Sequence, residues 1–245
     1  MLMVGTLTAE RAQAEVTSAV GVLRRRHWLP VTIGYVLALT AVAVVFARVK
    51  PVAQGRIIAD TSTNLHNLEH GHIDTLFSSA FVIADTNSTL ADVPLLACVL
   101  ALVELRFGAW HAVRTFLAGH VGATLLVAGG LWLAVRQHWL PDSIGDSEDV
   151  GISYGAMTLF GSLIVMVPAR RRIPWALVWA VIAVRGVLDN RDFTSVGHLL
   201  SYGIGLLIGI VMLARGAGAS RELKWADAVA LIAASALAVS YLLGW

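Results

Sequence analysis

Two side chains could serve as a nucleophile and its base: Ser153 in DVGISYGAMTLF (149–160) and His198 in GHLLSYGIG (197–205). A serine hydroxyl is a weak nucleophile until a base takes its proton, and histidine titrates near neutrality, which suits that exchange. Gly151 and Gly155 flank the serine and leave room for another helix or a substrate backbone. The Gly-x-Ser-x-Gly pattern is not the nucleophile elbow of an α/β hydrolase, because no strand precedes it and no alternating sheet pattern exists. Small residues are also common in membrane helices, so both positions fit plain packing as well. An intramembrane histidine weighs more toward function, since polar groups there are costly.

The elements that must position these residues are apolar blocks. The chain has 245 residues, is 57% hydrophobic and 14% charged, and has a mean hydropathy of +0.74. Its charges are confined between the blocks, as in a membrane protein. About 20 apolar residues span a bilayer core of about 30 Å as a helix. Spans are expected at 28–47, 92–106, 115–135, 151–168, 174–188, 196–214 and 225–243. The apolar patch at 76–84 is too short to cross and fits a helix in or on the outer leaflet. The expected fold class is an all-α polytopic membrane protein: a six-helix core over 28–214 and one additional C-terminal transmembrane helix within 215–245. That last helix is expected at the periphery of the core. Residues 1–27 form a cytoplasmic N-terminal segment with amphipathic character, and the first helix is expected to stay uncleaved.

Basic residues set the orientation. With the N-terminus inside, the inner segments hold Arg11, Arg24, Arg25, Arg26, Arg106, Arg114, Arg170, Arg171, Arg172, Arg215, Arg221 and Lys224, twelve of the eighteen Lys and Arg residues. That bias predicts a cytoplasmic N-terminus in the cell membrane, with the acidic stretch DSIGDSED (142–149) outside. Ser153 then lies in the first turn of a span that begins at the outer surface. His198 lies just inside the start of another span that also begins outside. Both enter the membrane from one side at similar depth, where water can reach them.

Other polar groups have weaker claims. His66, His70, His72 and Asp74 in NLHNLEHGHID (64–74) have types that ligate zinc, but Gly71 interrupts any common helical face and a polar interfacial segment looks the same, so no metal is assigned. His120 is expected to be buried and to hydrogen-bond across helices. Cys98 is alone within an apolar span, so no disulfide framework exists. The net charge of +2, with basic groups beside the spans, describes membrane topology rather than nucleic-acid binding.

Three segments carry a resemblance. VELRFG (103–108) is similar to the Glu-x-Arg-x-x-Gly at the inner end of the second core helix of rhomboids; GISYG (151–155) is similar to their Gly-x-Ser-Gly; GHLLSYGIG (197–205) is similar to their histidine-bearing sixth helix. The chain thus resembles the rhomboid family of intramembrane serine proteases over about residues 29–214, and within it the divergent rhomboid-like branch seen in actinobacteria. The resemblance implies Ser153 as nucleophile and His198 as general base of a dyad. It implies structural roles for Glu104, Arg106 and Gly108, and tight packing of the two site helices through Gly151, Tyr154, Gly155, Ser201, Tyr202 and Gly205. The chain departs from the family where Tyr154 intervenes before Gly155 and where Met157 replaces an aromatic that packs on the imidazole; Tyr202 is the expected substitute for that stacking. The family's oxyanion His and Asn fall, by ungapped counting, on Ser88 and Asp92. The Ser153 N–H is therefore the expected oxyanion donor, with Asn87 first among side chains and Asn64 or Asn67 behind it.

Two function classes follow: an intramembrane serine protease cutting transmembrane substrates near the outer face, or a catalytically inactive rhomboid-like protein that binds transmembrane partners. Neither implies a cofactor. A solute transporter would need paired broken helices or mid-depth carboxylates, which are absent from the sequence.

Overall fold

The computed structural model describes residues 29–83, 86–216 and 225–243, and all regular structure among them is helical. Helix α1 is Pro30–Phe46, followed by α2 (Pro51–Thr61), α3 (Leu65–Glu69) and α4 (Thr75–Ser78). The chain continues through α5 (Thr86–Phe107), α6 (Ala109–Arg136), α7 (Ser153–Ser162, extended by a 3-10 turn over Leu163–Met166), α8 (Ala169–Asn190), α9 (Phe193–Ala214) and α10 (Trp225–Leu243). Among the described residues, α6, α8 and α9 are long and apolar enough to cross a membrane. The apolar helices α1 and α7 with its 3-10 extension are shorter. The amphipathic segment proposed for residues 1–27 lies outside the described residues.

Helix α5 begins six residues before the apolar block that announced it and α8 begins five before its block. In each case the added turns are polar, TNSTLA in the first and ARRRI in the second. Pro94 and Pro174 mark where those polar turns join the apolar body.

Glu104 ties α1 to α5. Its carboxylate, 5% exposed, accepts hydrogen bonds from the Val31 N–H (3.0 Å), the Thr32 N–H (2.8 Å) and the Thr32 hydroxyl (2.7 Å). Those N–H groups belong to the first turn of α1, which has no intrahelical acceptors and carries the positive end of the helix dipole. The start of α1 therefore meets the end of α5, and the two helices run antiparallel. Gly108, at φ 94°, joins α5 to α6 through a single residue in a conformation that side chains disfavour. Arg106 lies in the last turn of α5.

Helices α7 and α9 run parallel and touch backbone to backbone. A Cβ at Gly205 would overlap the Thr158 carbonyl oxygen, one at Gly161 would sit 2.5 Å from the Tyr202 carbonyl, and one at Gly209 would sit 2.5 Å from Ile164. The Thr158 hydroxyl donates to the Ser201 carbonyl at 2.8 Å, and Ser201, fully buried, donates to the His198 carbonyl at 2.9 Å. Small residues one turn apart allow this approach, which in lipid is the main source of helix association.

The last helix sets one face into the bundle and leaves the other, with Val229 and Ile232, exposed. Ala234, Leu237, Ala238 and Leu242 of α10 belong to the main core cluster. The helix packs between α5 and α8 and reaches α7. A run of apolar residues reads alike whether lipid or protein surrounds it, so the sequence does not place it.

Candidate functional site

Ser153 is the first residue of α7, after Gly151 at φ 129° turns the chain into the helix. The Gly151 N–H donates to the Ser79 carbonyl at 2.9 Å, and the Thr63 N–H donates to the Asp149 carbonyl at 3.0 Å. The Ser62 hydroxyl accepts from the Asp149 N–H at 2.7 Å. Around them the hydroxyls of Thr63 and Ser79 lie 2.7 Å apart, and Ser79 meets His120 Nε2 at 3.1 Å. These buried contacts fasten the segment before the serine to the stretch 62–79. His120 thus bonds to that segment rather than across to a second long helix.

His198 lies in the second turn of α9 and is 5% exposed. Asp192 caps that helix by accepting from the Ser195 N–H at 2.7 Å. The register of the two helices is read from Gly197 against the Tyr154 ring and Ser201 against Thr158. It sets Ser153 level with Val196, so His198 lies about two residues, or about 3 Å, further along. The faces agree too. Ser153 and Phe160 are seven apart on α7, His198 and Tyr202 four apart on α9, and the Phe160 and Tyr202 rings meet at 6.3 Å between centroids. The serine and the histidine stand on one side of the helix pair, above that aromatic contact. No hydrogen bond joins Ser153 Oγ to the His198 ring in the structure.

The ring against His198 is that of Tyr154, edge-on at 5.6 Å and 80°. Gly197 makes room for it, since a Cβ there would overlap the phenol ring. Tyr202, the residue expected to stack on the imidazole, packs instead with Phe160 and Trp175, and its hydroxyl donates to the Ala176 carbonyl at 3.2 Å. The Tyr154 hydroxyl faces Asp149 and Thr194 without completing a well-aligned hydrogen bond to either. Burial penalises the charged form of Asp149 and pushes its carboxyl up to about 7, offset in part by the Tyr154 hydroxyl. Sequence reasoning did not single out Asp149; its only signal was a carboxylate four residues before the serine in an otherwise solvated acidic run.

The N–H groups of Ser153, Tyr154 and Gly155 open α7 and have no intrahelical acceptors, which makes them donors for a developing oxyanion. Asn87 lies in the first turn of α5, but its side chain falls outside the described residues. Asn64 and Asn67 are committed elsewhere: Asn64 Oδ1 caps α3 by accepting from the Asn67 N–H, and Asn67 Nδ2 donates to the Ala59 and Ser62 carbonyls, each at 2.8 Å. Gly155 lies against the Phe116 ring. His66 and His70 stack at 4.2 Å, and His66 lies 3.6 Å from Asp146. No group of three or more ligating side chains occurs among the described residues.

Against known proteins, the family model for rhomboid-like proteins matches residues 25–220. The chain belongs to the rhomboid-like family. No curated protein and no solved structure matches it. As a rhomboid-like membrane protein, it keeps Ser153, His198 and Glu104 within the matched region, whereas α10 lies beyond it.

Proposed function

We propose that this rhomboid-like protein is an intramembrane serine protease that cuts transmembrane substrates near the outer face of the cell membrane. One observation carries this: parallel helices bring Ser153 and His198 to the same end and the same side of the bundle, within about one helical turn in depth. His198 takes the proton of Ser153 as Oγ bonds to the scissile carbonyl carbon. The Ser153 N–H, with Asn87 as the side-chain candidate, holds the oxyanion. The carbon–nitrogen bond then breaks and His198 returns the proton to the leaving amine. A water, deprotonated by His198, releases the acyl group and restores Ser153. Bond-forming geometry in serine enzymes commonly tightens only once substrate is bound. The excess of basic residues at the opposite end of the bundle supports a cytoplasmic N-terminus and an outward-facing site.

The second reading is an inactive member that binds transmembrane partners. The Tyr154 ring set edge-on against His198 favours it. Reconstituted protein and tagged single-pass substrates decide between them: cleavage by wild type that disappears in both Ser153→Ala and His198→Ala supports the protease. Binding without cleavage across a broad substrate panel supports the inactive member.

A further inference from the structure

A second place where the fold gathers charge lies at the end of α6, before the chain turns into the serine helix. Arg136 stands in the last turn of α6, where carbonyls without intrahelical donors form the negative end of the helix dipole. His138, at φ 58°, closes the helix, and the Trp139 N–H donates back to the Ala134 carbonyl at 2.9 Å. After Pro141 comes an acidic 3-10 turn, Asp142–Asp146, which packs on both α3 and α6. Gly145 of that turn lies against Leu65 of α3.

The space left between these three elements is a cavity of about 400 Å³. Its charged walls have opposite signs. Arg136 comes from α6, Asp142 and Asp146 from the turn, and Glu69 from α3, with His66 Nδ1 3.6 Å from Asp146. The Arg136 guanidinium lies over the Trp132 ring, 4.4 Å from its centroid, and among the described residues it forms no ion pair with these carboxylates. A guanidinium stacked in this way keeps its N–H edge for a phosphate or carboxylate. The cavity therefore presents a cation on one side and carboxylates on the other, across a gap that the side chains do not close. Trp132 and Trp139 beside it are 40% and 73% exposed, the pattern of a helix end at the level of lipid headgroups.

We infer that this cavity binds the phosphoethanolamine headgroup of a membrane lipid, with Arg136 holding the phosphate and Asp142, Asp146 and Glu69 holding the ammonium. The ethanolamine ammonium offers three N–H donors to the carboxylates, whereas the trimethylammonium of a choline headgroup offers none. A glycerol headgroup carries a phosphate with no cation, and it meets three carboxylates against one arginine. A bound headgroup cross-links α3 to the turn that runs on through Asp149 and Gly151 into the serine helix. The inference is independent of whether Ser153 is catalytic.

The test places the full chain in nanodiscs with equal amounts of phosphatidylethanolamine, phosphatidylcholine and phosphatidylglycerol of one acyl composition. Native mass spectrometry then counts the lipids that stay on the released protein. Phosphatidylethanolamine is retained about tenfold over either competitor, the effect of one hydrogen bond to a charged group. Asp142→Asn combined with Asp146→Asn removes the discrimination between ethanolamine and choline lipids. Arg136→Gln instead weakens retention of both alike, because the phosphate is common to them. Glu148→Gln, which changes an exposed carboxylate outside the cavity, keeps the wild-type ratio. Free phosphoethanolamine separates the two sources of this chemistry. At millimolar concentration it leaves the melting temperature of the chain in phosphatidylcholine nanodiscs unchanged, while a minor fraction of phosphatidylethanolamine raises it. An equal rise with the soluble compound would make the ligand a soluble zwitterion and overturn the lipid assignment. Equal retention of the three lipids by wild type, a comparison that needs no variant to fold, also overturns it, as does an ethanolamine preference that survives the aspartate pair.

Discussion

Replacing Gly205 by leucine attacks the contact that aligns the two site residues. The obstacle a side chain would meet there is the Thr158 carbonyl, a backbone atom that cannot rotate away. Helices α7 and α9 must then separate or slide by about 1 Å at that level, and overpacking of this kind costs about 1–3 kcal/mol. Leucine's better helix propensity returns roughly 1 kcal/mol, so the net loss is about 2 kcal/mol at most. For a chain of this length that lowers the melting temperature by roughly 4–8 °C. The effect on chemistry is larger, since a displacement of about 1 Å between reacting groups costs about 10²-fold in rate. Gly203, two residues away, supplies a matched control, because a Cβ there meets nothing within 4 Å. Thermal unfolding in detergent and the rate of Ser153 modification by an activated phosphonate would be compared for Gly205→Leu and Gly203→Leu. If the two variants unfold together and label at rates within about threefold of each other, the close packing of α7 on α9 is not what aligns the site.

Three further outcomes are expected. Glu104→Ala strands two N–H groups and a hydroxyl at the start of α1 and costs about 3 kcal/mol, read as a lower melting temperature; unchanged unfolding removes the carboxylate as the tie between α1 and α5. Asp149 binds its proton more tightly folded than unfolded, so wild-type stability declines as pH rises from about 4 to about 7 and is level above that; the ceiling is about 4 kcal/mol, reduced because the residue is only half-buried, and Asp149→Asn removes the decline. Equal pH slopes for the two proteins would dispose of this. Tyr154→Phe keeps the ring edge on His198 and labels within about threefold of wild type, whereas Tyr154→Ala releases the imidazole and labels at least about tenfold more slowly; faster labelling of the alanine variant would mean that the ring obstructs the site.

Much of this organisation was legible in the chain because membrane helices announce themselves by length and composition. The apolar blocks located α1, α7, α9 and α10 closely, and the spacing of Ser201, Gly205 and Gly209 pointed to a close helix contact. What escaped were features that depend on how helices cross. Whether a tyrosine reaches an imidazole is decided by the missing Cβ of Gly197 opposite Tyr154, so the ring on His198 comes from beside Ser153 rather than from Tyr202. Polar turns such as TNSTLA and ARRRI continue apolar helices without sharing their hydropathy, which hid the true starts of α5 and α8. The stretch 62–79 is ordered by single contacts from Ser62, Thr63, Ser79 and Asn67, and no periodicity betrays such contacts.

The direct test of the dyad is the site of phosphonate attachment, found by mass spectrometry of the proteolysed adduct from the full-length protein in nanodiscs. A serine made nucleophilic by His198 gives one adduct, on the peptide that carries Ser153, formed at least about 10²-fold more slowly in His198→Ala. No adduct, an adduct on another serine, or equal rates in both proteins would contradict a catalytic pairing of Ser153 with His198.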